Sequence, residues 1–217
     1  MEKYNENKGI YISGEIAVVM IIGEIEGHEN ISGGTKTTQY EHLIPLLIQL
    51  MCDEEVKGIM FVINTIGGDV SCGLALAELI KSINKPTVSF VLGDSHSIGV
   101  PLSVATDYSF IVPTATVVLH PVRISGTILG SRQTYRQFEQ IQNRIVDFIS
   151  RCCNVSKENL VAMMMNTEMI SKDLGTILVG TEAVECGLLD ECGGICDAYT
   201  KIMELVKDAS RQKMPHI

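Results

Sequence analysis

Apolar residues gather into strand-like and helix-like runs along the chain, and the alternation of those runs predicts its architecture. The stretch EIAVVMIIGEI at 15–25 is continuous and β-branched, as a buried strand would be. GIMFVIN at 58–64 and PTVSFVL at 86–92 have the same character, and shorter strands are expected at 108–112 (YSFIV) and 116–120 (TVVLH). Between them helices are expected at about 38–52, with Pro45 near the beginning, at about 70–83 and at about 97–105. Buried strands alternating with helices imply an α/β domain whose strands are at least partly parallel.

The stretch at 131–151, SRQTYRQFEQIQNRIVDFISR, predicts a long helix with one apolar stripe made of Phe138, Ile141, Ile145, Phe148 and Ile149. Such a stripe fits packing on its own domain or against a partner subunit, and the pattern leaves both open. Shorter helices are expected at about 156–165, 181–187 and 194–207. Gly, Ser, Thr and Asn fill a loop after residue 25, and no linker, repeat or low-complexity stretch interrupts the rest. The reading is a polar lead-in over 1–13, a single domain over 14–207 and a short tail over 208–217.

Composition narrows the function. With 217 residues, 46% apolar and 20% charged, the chain can bury a sizeable core. A net charge of −9 argues against nucleic-acid binding and against docking on an anionic membrane. The first residues lack a signal peptide's apolar segment, and runs such as LIPLLIQLM at 43–51 are too short to span a bilayer, so no stable membrane insertion is expected. Seven scattered cysteines then read as free thiols in a reducing cytoplasm. Cys186, Cys192 and Cys196 lack the CxxC pair or neighbouring histidine of a zinc site, so neither metal nor cofactor is expected.

Candidate chemistry centres on LGDSHSIGVPL at 92–102, where a strand hands over to a helix. A serine there is exposed, and the N–H groups that follow it are unpaired, so Ser97 can act as a nucleophile if a base is within reach. The Ile98 N–H would point at a developing oxyanion. A second donor would come from INTIGGD at 63–69, where Gly67 and Gly68 end the neighbouring strand at the same sheet edge. Of the candidate bases His28, His42, His96, His120 and His216, His96 diverges from its neighbour Ser97. His120 ends a buried strand and precedes Pro121, which holds the backbone extended. Plain turn glycines and a structural histidine would leave the same marks, so spacing alone does not choose between the readings.

The ordered set INTIGGDV, GDSHSIGVPL, LHPVR, SKDLGT and GTEAVECGLLD resembles the ClpP family of serine peptidases, most closely its TepA-like group, over residues 14–207. The resemblance implies a ClpP/crotonase-type ββα superhelix with a protruding long helix. It also implies a Ser-His-Asp triad of Ser97, His120 and Asp173, with Gly68 and Ile98 N–H groups forming the oxyanion hole. Counting back from EAVECGL by the family spacing reaches Gly175 rather than an aspartate, and Asp173 in SKDLGT is the nearby carboxylate. Asp190 is the competing carboxylate and is assigned a structural role. The 131–151 helix matches the helix through which rings of subunits stack, implying a homo-oligomer that takes peptide or protein substrates. Met60 and Val62 stand where the family has aromatic residues for docking an unfolding ATPase, which argues for a self-contained peptidase acting on small or unfolded proteins.

Three rivals remain. A crotonase-type acyl-CoA enzyme would use the paired N–H donors but needs carboxylates at the hole and no serine. A membrane-bound Ser-Lys peptidase lacks its lysine, since none follows Ser97 until Lys157. An inactive, ring-forming peptide-binding scaffold is supported by the displaced aspartate.

Overall fold

In the computed structural model, which describes residues 3–5, 9–28, 31, 33–123, 128–169 and 174–212, eleven strands and seven helices alternate. The first half holds β1 (Lys3–Asn5), β2 (Ile10–Ser13), β3 (Ile16–Ile22), β4 (Glu24–Glu26), β5 (Thr37–Gln39), α1 (Tyr40–Cys52), β6 (Gly58–Thr65), α2 (Val70–Lys81) and β7 (Thr87–His96). The second holds α3 (Gly99–Val104), β8 (Tyr108–Ile111), β9 (Thr116–Leu119), α4 (Arg132–Cys152), α5 (Lys157–Met164), β10 (Thr176–Val179), α6 (Thr181–Glu185), β11 (Glu191–Cys192) and α7 (Ile195–Gln212).

The main sheet runs β1-β2-β3-β6-β7-β8-β11, with β3, β6, β7, β8 and β11 parallel to one another. Both faces of its centre are covered, as crossover helices require. Ile16, Val18, Met60, Val62, Val88 and Phe90 share one apolar cluster with Ala198, Ile202 and Val206 of α7. The alternate residues Ala17, Val19, Ile21, Ile59, Phe61 and Ile63 belong to a larger cluster with α1, α2 and α3. Full burial of such a side chain contributes about 1.5–3 kcal/mol. No described helix is long and apolar enough to cross a membrane.

Several elements differ from the sequence reading. The run at 15–25 is two strands, because the chain leaves the main sheet at Gly23 and β4 pairs with β5 in a second, two-stranded sheet. Residues 10–13, read within a polar lead-in, pair antiparallel with β3. β10 carries too short an apolar run to stand out, and it pairs antiparallel with β9. β7 does not stop at residue 92 but continues to His96 by changing partner, from β8 over Val88–Val91 to β9 over Asp94–His96.

Ser131 caps α4, accepting from the Thr134 N–H at 3.2 Å. The stripe on this helix divides. Ile145, Val146, Phe148 and Ile149 are buried in the chain's own core, and the Arg151–Glu78 and Lys157–Asp147 ion pairs tie this half to α2 and α5. The first half projects: Tyr135 is 70% exposed and Leu129, just before it, 77%. Ile145 therefore belongs to the subunit core rather than to a surface available to a partner.

Candidate active site

The strand ends of β6, β7 and β9 converge. β6 closes with Thr65, whose hydroxyl accepts from the Gly67 N–H at 3.1 Å and donates to the Gly23 carbonyl at 2.5 Å. Gly67 (φ 96°) and Gly68 (φ 148°) follow, both in backbone conformations that side chains disfavour. A Cβ on Gly68 would collide with the Ile25 carbonyl, and one on Gly67 would stand 2.8 Å from Ser97 Cβ. Bare backbone here lets β4, this turn and Ser97 meet. The Ile25 N–H donates to the Gly67 carbonyl at 2.7 Å and the Asp69 N–H to the Ile25 carbonyl at 2.9 Å, so the turn is held from both sides. Among the described residues the Gly68 N–H between those two bonds has no acceptor.

The end of β7 is re-aimed by a bulge. Ile63 pairs with Val91 but Thr65 with Ser95, so β7 carries two extra residues over this interval. Bulges of this kind bend a strand and redirect its side chains beside functional sites. Ser97 then takes φ 57°, the sole non-glycine residue among those described with positive φ. Such a conformation costs about 1–3 kcal/mol and persists only where its surroundings impose it. The Ser97 N–H donates to the Val118 carbonyl at 2.9 Å, and the Ser97 carbonyl accepts from the Val100 N–H at 3.1 Å. Ile98 caps α3 with its side chain buried, and its N–H, like that of Gly68, has no acceptor among the described residues.

His120 follows β9 directly. Its Nδ1 lies 2.6 Å from the Pro121 carbonyl oxygen, which can only accept. Nδ1 therefore donates, and a neutral ring keeps its lone pair at Nε2, the form a general base needs. Ser97, His120 and Gly68 line one cavity of about 120 Å³, whose other walls include Val70, Leu119, Val122, Ile145 and Met164. Ser97 and His120 share it, the placement a nucleophile and its base require.

The structure thus brings together Ser97, His120 and the N–H groups of Gly68 and Ile98, while Asp173 lies outside the described residues, as does His216. Asp190 is engaged elsewhere: its Oδ2 accepts from the Ser109 N–H at 2.8 Å and the Ser109 hydroxyl at 2.6 Å, clamping β8. His28 bonds the Tyr40 hydroxyl at 3.1 Å, and His96 turns to Thr116 at 2.7 Å. Sequence reasoning missed Ile25, Val118, Thr116 and Asn64, whose Oδ1 accepts from the Asp94 N–H at 3.0 Å. The available signal was the polar GDSH at the end of an apolar strand, where paired backbone continues without apolar side chains.

A parallel α/β sheet with a strained serine and two free N–H donors at its strand ends defines a ClpP/crotonase-type fold with the makings of a hydrolytic site. The sequence profile of the Clp protease family matches residues 19–195, and the chain belongs to that family. Over 201 residues it is 42% identical to the translocation-enhancing protein TepA of Halalkalibacterium halodurans, covering 93% of this chain and 77% of that protein. It is 33% identical over 138 residues to the ATP-dependent Clp protease proteolytic subunit 1 of Chlamydia muridarum, covering 61% of this chain and 68% of that one. The corresponding subunit of Protochlamydia amoebophila is 28% identical over 165 residues, 74% of this chain and 77% of its own.

Proposed function

We propose that the chain is a serine endopeptidase that cleaves small or unfolded proteins within a homo-oligomeric ring in the cytoplasm. The observation that carries this reading is the left-handed Ser97 flanked by two N–H groups without acceptors among the described residues, in one cavity with an imidazole whose Nδ1 donates to a carbonyl and leaves Nε2 as the basic nitrogen. In the proposed reaction His120 Nε2 removes the Ser97 proton as Oγ attacks the scissile carbonyl. The Gly68 and Ile98 N–H groups stabilise the oxyanion, and the proton passes to the leaving amine. Water then repeats the sequence on the acyl-enzyme. The apolar cavity walls suit an aliphatic side chain beside the scissile bond.

Asp173 is the proposed orienting acid, sharing the His120 Nδ1 proton with the Pro121 carbonyl, and the engagement of Asp190 with Ser109 supports leaving Asp190 out. The described lining of the cavity contains no carboxylate, which disfavours an acyl-CoA enzyme needing acid-base groups there. Met60 and Val62 are buried with α7, which supports a peptidase that works without a docked ATPase. All seven thiols are free, in keeping with a reducing compartment.

The test is hydrolysis of a disordered polypeptide with no nucleotide present. The wild type is expected to cleave it, Asp173→Asn to lose about 10⁴-fold in kcat, and Asp190→Asn to lose stability with little change in rate. No cleavage by the wild type would support the scaffold reading, and a fast Asp173→Asn beside a dead Asp190→Asn would reverse the two carboxylates.

Ring stacking is assigned to the projecting half of α4 and the residues just before it, where Tyr135 and Leu129 are exposed and Phe138 and Ile141 half-buried. Phe138→Glu is expected to lower the assembled mass measured by light scattering while leaving the unfolding midpoint of the subunit nearly unchanged. A monomeric wild type at micromolar concentration would refute the assembly.

A further inference from the structure

The conformation of Ser97 needs a cause. Left-handed backbone at a non-glycine residue relaxes unless neighbouring contacts prevent it. On its own N–H, Ser97 is held by the Val118 carbonyl of β9 at 2.9 Å. The residue before it is held by the same strand through side chains. His96 Nε2 lies 2.7 Å from Thr116 Oγ1, and Thr116 Oγ1 donates to Asp94 Oδ1 at 2.8 Å. A hydroxyl has one proton, so Thr116 must accept from His96, whose ring proton is thereby fixed at Nε2. Asp94 Oδ1 also stands 3.3 Å from that nitrogen.

We propose that Asp94, Thr116 and His96 form a brace that holds Ser97 in its left-handed conformation at the cavity, making Thr116 and His96 positioning residues for the nucleophile. The proposal rests on Ser97 being the nucleophile. The brace spans alternate rungs of one ladder, since Asp94 pairs with Thr116 and His96 with Val118, with Ser95 and Val117 between them. It lies where β7 has lost regular pairing with β6 through the bulge, and where otherwise the Asn64 side chain alone ties Asp94 to that strand. The same strand, β9, leads straight into His120, so one element sets the position of both serine and base. A neutral His96 suits this role: burial holds its imidazole below the usual range, against the pull of the Asp94 carboxylate and with the help of nearby His120.

The variants Thr116→Val and Thr116→Ser separate a brace from a chance surface contact. Valine keeps the shape and removes the hydroxyl, while serine restores it. Thr116→Val is expected to lower kcat and the rate of fluorophosphonate labelling about 10- to 100-fold, the cost of a small misplacement of reacting groups. KM should stay within about twofold and the unfolding midpoint near that of the wild type, because ground-state binding is untouched. Thr116→Ser should recover most of the rate. Wild-type labelling by Thr116→Val, or a Thr116→Ser as slow as Thr116→Val, would overturn the proposal. A wild type that never labels would count against Ser97 as nucleophile. The brace is then read from crystal structures of both variants: Ser97 should leave positive φ in Thr116→Val alone, and an unmoved Ser97 there would overturn it.

Discussion

Ser97→Ala is expected to reduce peptide-bond hydrolysis by roughly 10⁵- to 10⁶-fold in kcat, the scale on which removal of a catalytic serine acts in enzymes of this mechanism. The fall is that large because the proposed nucleophile has no substitute in the described lining of its cavity, whose other polar groups are N–H donors, a base and Arg123. Assembly and substrate affinity should persist, since alanine leaves the Val118 and Val100 backbone bonds in place. Removing the hydroxyl also removes the benefit of the strained conformation but not the strain. The subunit should unfold no more easily than the wild type, and may be compared with it by chemical denaturation. Turnover retained at the wild-type level would remove Ser97 from the mechanism.

Gly68→Ala is expected to damage both stability and rate. Its Cβ would run into the Ile25 carbonyl, which cannot give way cheaply because it already accepts the Asp69 N–H at 2.9 Å. With φ at 148°, the new side chain is strained even before that collision. Together these should cost about 1–3 kcal/mol of stability. The turn must move to relieve them, carrying the Gly68 N–H off its line, and loss of one oxyanion donor costs about 10²- to 10³-fold in kcat. Gly33→Ala is the control, since nothing lies within 4 Å of a Cβ there. Denaturation midpoints and kcat measured on both variants check the claim. Undiminished kcat in Gly68→Ala would exclude its N–H as a donor.

Legibility in the sequence followed the density of apolar signal. IAVVMII and the IMFVI within GIMFVIN announce β3 and β6, because both faces of the sheet are covered there and the apolar run is unbroken. GDSH has no apolar run to mark it as strand, although backbone pairing carries β7 through it. TILV at β10 is too short to separate from loop, and IYIS at β2 sits among polar residues. Ile145 lies on the same apolar stripe as Phe138, and no periodicity tells which half of a helix rests on its own core.

For the candidate site, small residues at strand ends drew attention to Ser97, Gly67 and Gly68, and proline after histidine drew it to His120. The positive φ of Ser97 could not be foreseen, because serine has no marked preference for that region. Thr116 and Asp94 look like ordinary strand-end polar residues until β9 is laid beside β7. Asp173 rests on motif resemblance, since the aspartate of SKDLGT stands two residues before the position that the family spacing reaches.

The central claim is that Ser97 is an activated nucleophile, and mass spectrometry of the fluorophosphonate-treated protein tests it most directly. The account predicts one phosphonyl group per subunit, mapped to the peptide carrying Ser97, with labelling abolished by Ser97→Ala and slowed by His120→Ala. An unmodified protein, or a phosphonyl group on any residue other than Ser97, would contradict it.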